Sequence, residues 1–425
     1  MDAQPAETEP LWNYKTDGWA YSVAISSDGK YIVAGSWDGA VYLFSRDGGN
    51  PLWKYETGEH VLSVAITPDG QYVTAGNRQG KVYLFRRESS APVMKYATNG
   101  PAQAVAISSD GQYVSVGTFD GHTYLFKRDS GNALWWYNDD WQIFSVAISP
   151  DGRYVVAGGG PYGQGGFVHL FDQTQWPDTL VWTYGIDSVS SVAISYNSSL
   201  AYSYIVAGSR GNAVYLLGPH AKELIWRYQT SGSVFSVAIS SDGKLIAAES
   251  GEPGAQYTTY MFDGGSGNPL WSHSTDSDPG AADLASVALS SDGQYLAVGG
   301  HDSRVYFFSR NSGMPLWSYK TDGILYSVAV SSDGQYVVGG SGGGTVYFFA
   351  KDPTTGPTLP IAPIGVLAVA AVSVCLLWVR RKRVRVNGDV PFFSVCSNCG
   401  HRNSKRNRFC SACGQSLRDK TIVYS

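Results

Sequence analysis

The strongest constraint on this chain is that it repeats itself eight times. Units open at Leu11, Leu52, Val93, Leu134, Val181, Ile225, Leu270 and Leu316, with three spacings of 41 residues and the rest of 44 to 47. Each reads LWxYxT, SVAIS, a DG turn, YxVAGS, VYLF, and then a polar stretch containing Gly and often Pro; Leu11–Phe44 is the clearest copy. Four segments rich in β-branched and aromatic residues, separated by Gly, Asp, Asn and Ser, predict four strands and three turns per unit, with no helical periodicity. The Ser-Asp-Gly between the second and third segments suits a tight hairpin, because Gly reaches positive φ without steric cost. One sheet of ~40–45 residues cannot bury both of its faces, and stacking copies radially removes the difficulty.

Eight SVAIS-type segments, beginning at Ser22, Ser63, Ala104, Ser145, Ser191, Ser236, Ser286 and Ser327, predict an all-β, eight-bladed β-propeller over residues 11–350. The order of segments also predicts its closure. Leu11–Thr16 has no blade before it, and the last unit, Ser327–Phe349, has no LWxY segment after it. Leu11–Thr16 is therefore expected to complete the final blade.

Composition agrees with a turn-rich β protein: 50 Gly, 28 Tyr and 13 Trp, against 16% charged residues. The net charge of −4 conceals an asymmetry. From Arg380 onward there are 11 Lys/Arg against 2 Asp/Glu, a net +9, so the preceding part has 20 against 33, a net −13. An acidic body argues against nucleic-acid binding by the propeller, since phosphate contacts need a basic surface.

Three further segments follow. Residues 351–360 form a Pro/Thr linker, and Ile361–Val379 is a run of 19 residues without charge. At 1.5 Å per residue that run spans roughly 28 Å, the hydrocarbon thickness of a bilayer, and predicts a single-pass transmembrane helix with Trp378 at the interface. Cys375 within it serves as a small apolar side chain. The basic segment 380–395 opens with RRKRVR, which by the positive-inside rule puts the C-terminus in the cytoplasm and the propeller outside. Met1 is followed within ten residues by the first segment, with no apolar export signal. An upstream start would reconcile the two observations, and a propeller kept inside is the alternative.

All remaining cysteines, Cys396, Cys399, Cys410 and Cys413, form two Cys-x-x-Cys-Gly knuckles within residues 396–418. Two knuckles supply the four thiolates that a structural zinc site prefers, and a segment this short would draw its folding energy from the metal. One Zn2+ per chain is expected. A redox dithiol pair is the competing reading, and His401 is a spare donor that the pattern does not require.

These motifs carry resemblances. SVAIS–DG–YxVAGS–VYLF resembles a WD40-type blade, although the WD dipeptide and its His do not recur. The GxPLWxYxT stretch (Gly49–Thr57, Gly313–Thr321) is similar to the repeat of eight-bladed quinoprotein-like propellers. The C-terminal knuckles resemble the short zinc ribbons at the ends of many archaeal and bacterial proteins. The quinoprotein resemblance implies one enzymatic alternative, a membrane-bound dehydrogenase holding pyrroloquinoline quinone and calcium in its channel. Such a site needs carboxylate and amide ligands, and calcium takes six to eight oxygens. Here Asp28, Asp69, Asp110, Asp151, Asp242, Asp292 and Asp333 recur at one position in seven blades, which turn geometry explains better than one active site. The adjacent-cysteine pair of many such dehydrogenases is missing, and no hydrolase or phosphate-loop motif stands out. A non-catalytic binding module is the preferred expectation, because one fold hosts many activities.

The departures from the repeat point to where binding would occur. In WD-type blades the loops before the first strand and between the second and third share one face. Here they carry Trp19, Tyr21, Trp37, His60, Arg78, Phe119, His122, Trp141 and Phe144, with insertions at Gly159–Gly166 and Ser250–Gln256. Trp19, Trp37, His60, Arg78, Phe119, His122 and Trp141 are the candidate face for a protein or glycan partner. Tyr21, Phe144, Phe235 and Tyr326, each immediately before an SVAIS segment, have a second reading as plugs of the channel mouth.

Overall fold

A computed structural model describes residues 6–161, 164–175, 178–195, 204–218, 223–252, 255–275, 286–352, 393–395 and 402–404. The chain divides into two units, 1–359 and 360–425. The expected transmembrane segment 361–379 and the four zinc-knuckle cysteines lie outside the described residues. Among the described residues no helix is long and apolar enough to cross a membrane.

The first unit is a ring of eight four-stranded antiparallel sheets. In blade 1 the strands are Ala20–Ile25, Tyr31–Ser36, Ala40–Ser45 and Gly48–Glu56, innermost to outermost. Each innermost strand packs on those of the neighbouring blades, and the eighth, Leu325–Val330, returns to the first. The two middle strands are buried along nearly their whole length, whereas the outermost alternates between partial and full exposure. Middle strands covered on both faces therefore read as continuous apolar runs rather than alternating ones.

Among the described residues the core is divided rather than single. Eight clusters lie one at each blade boundary, and each mixes side chains of two neighbours. Val33, Val41 and Leu43 of blade 1, for example, join Val61, Val73 and Phe85 of blade 2. The boundary between blades 8 and 1 is built the same way, from Val338, Val346 and Phe348 with Ile32, Tyr42 and Phe44. A blade removed from the ring would expose both of its apolar faces.

The ring closes as expected. Trp12–Lys15 pairs antiparallel with Thr345–Ala350, with Trp12 opposite Phe348 and Tyr14 opposite Val346. Trp12 stacks on Phe348 at 5.0 Å and lies 5.3 Å from Phe44 of blade 1. A further strand is unanticipated by the repeat: Ala6–Glu7 adds parallel to the outer edge of blade 7, against Trp317 and Ser318.

Repeated polar bonds fasten blade to blade at three radii. Nearest the axis, the serine of SVAIS accepts from the valine N–H of the next blade. Ser22 takes Val64 at 3.1 Å, and Ser327 takes Val23 at 3.1 Å across the closure. Ala104 breaks this series, since its methyl cannot accept from Val146. At the outer wall the LWxY indole donates to a backbone carbonyl of the next blade: Trp12 to Arg46, Trp53 to Arg87, Trp226 to Gly264, Trp271 to Arg310 and Trp317 to Lys351, at 2.7–3.0 Å. In blade 2, which has Met94 there, the Tyr96 hydroxyl donates to Lys127 instead.

The third fastening is the DG turn, whose backbone bonds the turn of the next blade, as the Ser27 N–H does the Pro68 carbonyl at 2.9 Å. In each of the seven DG blades the Ser or Thr before the Asp donates to its carboxylate, as Thr67 does to Asp69 at 2.6 Å, and that carboxylate accepts a backbone N–H two residues on. The recurrent Asp is thus a turn residue in every blade that has it. Gly70 sits at φ +69°, and a Cβ there would lie 2.6 Å from the Tyr31 ring of blade 1, so the turn needs both the φ and the space.

The two insertions differ from simple loops. Gly159 pairs with Phe167, and Gly251 with Tyr257, so each insertion mainly lengthens a hairpin. Pairing satisfies backbone groups that a bare loop would leave to water.

In the second unit, Phe393–Val395 pairs antiparallel with Arg402–Ser404.

Candidate functional site

The DG turns lie at one end of the strands, and the loops entering each blade and joining its second and third strands lie at the other. The latter are tied in pairs by backbone bonds: Trp37 donates to Trp19, Arg78 to His60 and Phe119 to Pro101, at 2.9–3.0 Å. This backbone frame repeats around the ring, yet the side chains on it do not. The loop position held by Trp37 in blade 1 becomes Arg78, Phe119, Gly160, Arg210, Gly251, His301 and Gly342 in the others.

One group of these side chains coalesces. Trp37 stacks on Trp19 at 4.3 Å and on His60 at 4.8 Å. Trp19 continues to Tyr326 of blade 8 at 5.4 Å, and Tyr21 lies 5.6 Å from Trp37 and 5.3 Å from Tyr326. The result is a ladder of five rings across blades 8, 1 and 2, with Trp19 41% exposed. Tyr21 and Tyr326 reach it because a β-bulge precedes the serine in their innermost strands and re-aims the bulged side chain. Burial, and then the neighbouring Tyr326, raise the Tyr21 phenol above its ordinary range, so both tyrosines act here as neutral rings. The His60 ring also bonds the Trp37 carbonyl and sits 3.7 Å from Glu59.

The other sequence candidates do not all join this ladder. Phe119 and Trp141 are 48% and 45% exposed on the loops of blades 3 and 4, and Arg78 is exposed beside His60. His122 points elsewhere. It opens the third strand of blade 3, where its ring packs near Tyr124 and the outer-strand Trp136, with Nδ1 3.2 Å from Asp120. Phe144 and Phe235 form a separate group, with the Arg210 guanidinium 5.6 Å and 5.9 Å from their rings.

Two polar groups were not visible as candidates in the sequence. His169 replaces the tyrosine of VYLF in blade 4, and its ring bridges Asp139 at 2.6 Å and Thr183 at 2.8 Å. That order of groups resembles a nucleophile relay. The imidazole, however, is 2% exposed with both nitrogens engaged, so it ties the strands together out of reach of a substrate. Glu249 of blade 6 occupies the place held by glycine in the other seven blades (Gly35 in blade 1). It is 1% exposed and its Oε2 has no hydrogen-bond partner. Burial first, and then Asp302 of blade 7, hold its carboxyl well above the usual range. Aligning the copies exposes both substitutions.

Asp172 in blade 4 is the structural contrast. Burial works to raise its carboxyl, but bonds from Arg153, Thr174 and Gln175 together outweigh burial and hold it at about 2. No group of three or more His, Cys, Asp or Glu among the described residues is placed to hold a metal ion.

Fold and repeat together define an eight-bladed propeller of the quinoprotein-like class, whose DG turns recur in seven blades while the loops at the opposite end differ from blade to blade. Within that class the chain belongs to the family described as outer membrane protein assembly factor BamB, which matches residues 3–175 and 164–356. A zinc-ribbon domain matches residues 395–417. Comparison with curated proteins returned no match.

Proposed function

We propose that this chain is a membrane-anchored, non-catalytic scaffold that binds a protein partner through the divergent loop face of its propeller. The observation carrying this reading is a contrast: the DG turn repeats its residues in seven blades, while the loops at the opposite end change theirs and expose Trp19, Phe119 and Trp141. Membership of a family described as an assembly factor supports a protein partner over a small substrate. A photo-crosslinking side chain placed at Phe119 or Trp141 should give one discrete adduct, and the same group at Glu88 or Asp129, on the turn end, should give none. Equal labelling from both ends would refute the assignment.

In this reading residues 361–379 anchor the chain and the basic segment 380–395 lies on the cytoplasmic side. Alkaline extraction should leave the protein in the membrane pellet, and protease added outside should cut the propeller. Cys396, Cys399, Cys410 and Cys413 would hold one structural zinc ion; the zinc-ribbon match over residues 395–417 supports the fit. Purified protein should carry ~one zinc per chain and no quinone absorbance. Calcium together with quinone would instead indicate the dehydrogenase.

A further inference from the structure

The ring ladder has surroundings that narrow the chemistry of what docks on it, taking as given the reading that a protein partner uses this face. Trp37 lies between Trp19 and His60, so stacking within the protein already uses its ring faces. A sugar ring needs an open aromatic face, which Trp37 at the centre of the stack lacks, and the stacked rings form an apolar ridge.

That ridge is flanked by carboxylates on the same loops: Asp17, Asp38, Glu59 and Asp322, against the single guanidinium of Arg78. Lysines on outer strands answer two of them, Lys15 reaching Asp322 at 3.0 Å and Lys54 reaching Asp17 at 3.9 Å. Asp38 accepts from the Tyr42 hydroxyl and from two backbone N–H groups and also feels the Lys54 charge, whereas Glu59 accepts from the His60 backbone N–H, faces the His60 ring and has no Lys or Arg ion-pair partner among the described residues. The Asp17 side chain is 87% exposed. The residues before Arg380 carry a net −13, which adds a long-range field of the same sign. Phosphate-bearing partners, whether anionic lipid or nucleic acid, would be repelled.

A side chain that matches an apolar ridge bordered by carboxylates has an apolar stem and a cationic head, which describes lysine and arginine. We propose that the ladder and its carboxylate border dock a cationic, extended segment of the partner protein. The stems lie along the edges of Trp19 and Trp37, and the heads pair with Asp17, Asp38 and Glu59.

The test is fluorescence anisotropy with the full-length chain and three labelled twelve-residue peptides of one sequence, bearing Lys/Arg, Gln or Glu at the same positions. The cationic peptide should bind at least ~10-fold more tightly than the Gln version, and the Glu version should not bind. The D17N/E59Q double variant, which alters one exposed and one half-buried loop side chain and leaves the core alone, should weaken cationic binding ~5–10-fold and flatten its salt dependence. W37A should weaken it at least as much, and W136A, on the outer wall, should not change it. Equal binding of the three peptides would overturn the proposal. So would cationic binding that ignores D17N/E59Q and W37A, because attraction to the acidic body at large would then account for it. A discrete crosslink from Phe119 without cationic-peptide binding would leave the docking face standing and remove its cationic chemistry.

Discussion

The two ends of the propeller are built from the same strands and follow opposite rules. At the turn end seven blades use one solution, a Ser or Thr bonded to Asp with Gly after it, and neighbouring turns bond each other, as Ser27 does to Pro68 and Ser332 to Ser27. At the loop end the backbone pairing recurs, but the side chains run from Trp37 to Arg78 to Phe119 to glycine. A residue that recurs at the same radius in every blade is answering a demand of the ring. A residue that changes while its backbone stays fixed is free of that demand, and the loop end is where a partner can be selected.

If the turn end and the closure hold the ring, breaking them should have the largest effect. Deleting residues 1–16 removes the strand that pairs with Thr345–Ala350 and uncovers Phe348 and Phe44. The loss of stability should exceed the ~3–5 kcal/mol typical of truncating one packed tryptophan, read as collapse of the cooperative melt. A deletion that melts like the parent would mean that the closure is ornamental.

Glycine pairs sharpen the comparison. Gly70→Ala at the turn end meets both a positive φ and the Tyr31 ring, and should cost ~2–5 kcal/mol from strain and overpacking together. Gly58→Ala at the loop end has φ +85° with nothing within 4 Å, and should cost only the conformational part, ~1–2 kcal/mol. Chemical denaturation of both variants measures the gap, and equal losses would erase the distinction.

Glu249 tests the rule from the opposite side, as an exception inside the ring. Its carboxyl is raised in the folded state by burial and by Asp302, whose own carboxyl is raised by burial; Tyr306 hydrogen-bonds Asp302, and Arg304 and Lys320 bear on it with opposite charge. His301, beside Asp302, is pushed down to about 4 by burial and stays neutral. A folded-state value above the unfolded one means that the stability contributed by this proton is complete below the unfolded value of ~4.3 and is lost as pH rises through the folded value. Glu249→Gln should therefore be more stable than the parent at pH 8, by ~1–3 kcal/mol for relief of a poorly satisfied buried carboxylate, and the gain should shrink toward pH 4. A gain that does not vary with pH would show that the carboxyl is not titrating there.

Much of this architecture is readable in the sequence because a propeller's long-range contacts are local contacts repeated. The period, the turn Asp and the closing LWNYKT all follow from comparing the chain with itself. What spacing does not reveal are contacts made across the closure and choices of side-chain direction. Tyr326 and Trp19 are far apart in sequence and meet only because blade 8 abuts blade 1. His122 stands at a loop exit in the sequence, yet the pleat of its strand turns it toward Trp136. Glu249 is conspicuous only against the seven glycines it replaces, and its burial depends on a neighbouring blade.

The smallest expected effect is the most informative about the loop end. Phe119 is 48% exposed, and its backbone N–H already bonds Pro101, so removing the ring leaves the frame of blade 3 intact. Phe119→Ala should shift stability by no more than ~0.5 kcal/mol, as for a surface site away from caps and cores. If the loop end is a recognition face, the same change should weaken capture of the partner crosslinked from Trp141, since an exposed aromatic on a rigid frame is the kind of anchor interfaces favour. Stability and binding should separate in this one variant. A Phe119→Ala protein that lost stability as Gly70→Ala does would show the loop end to be under the same structural demand as the turn end, and the face would have to be sought elsewhere.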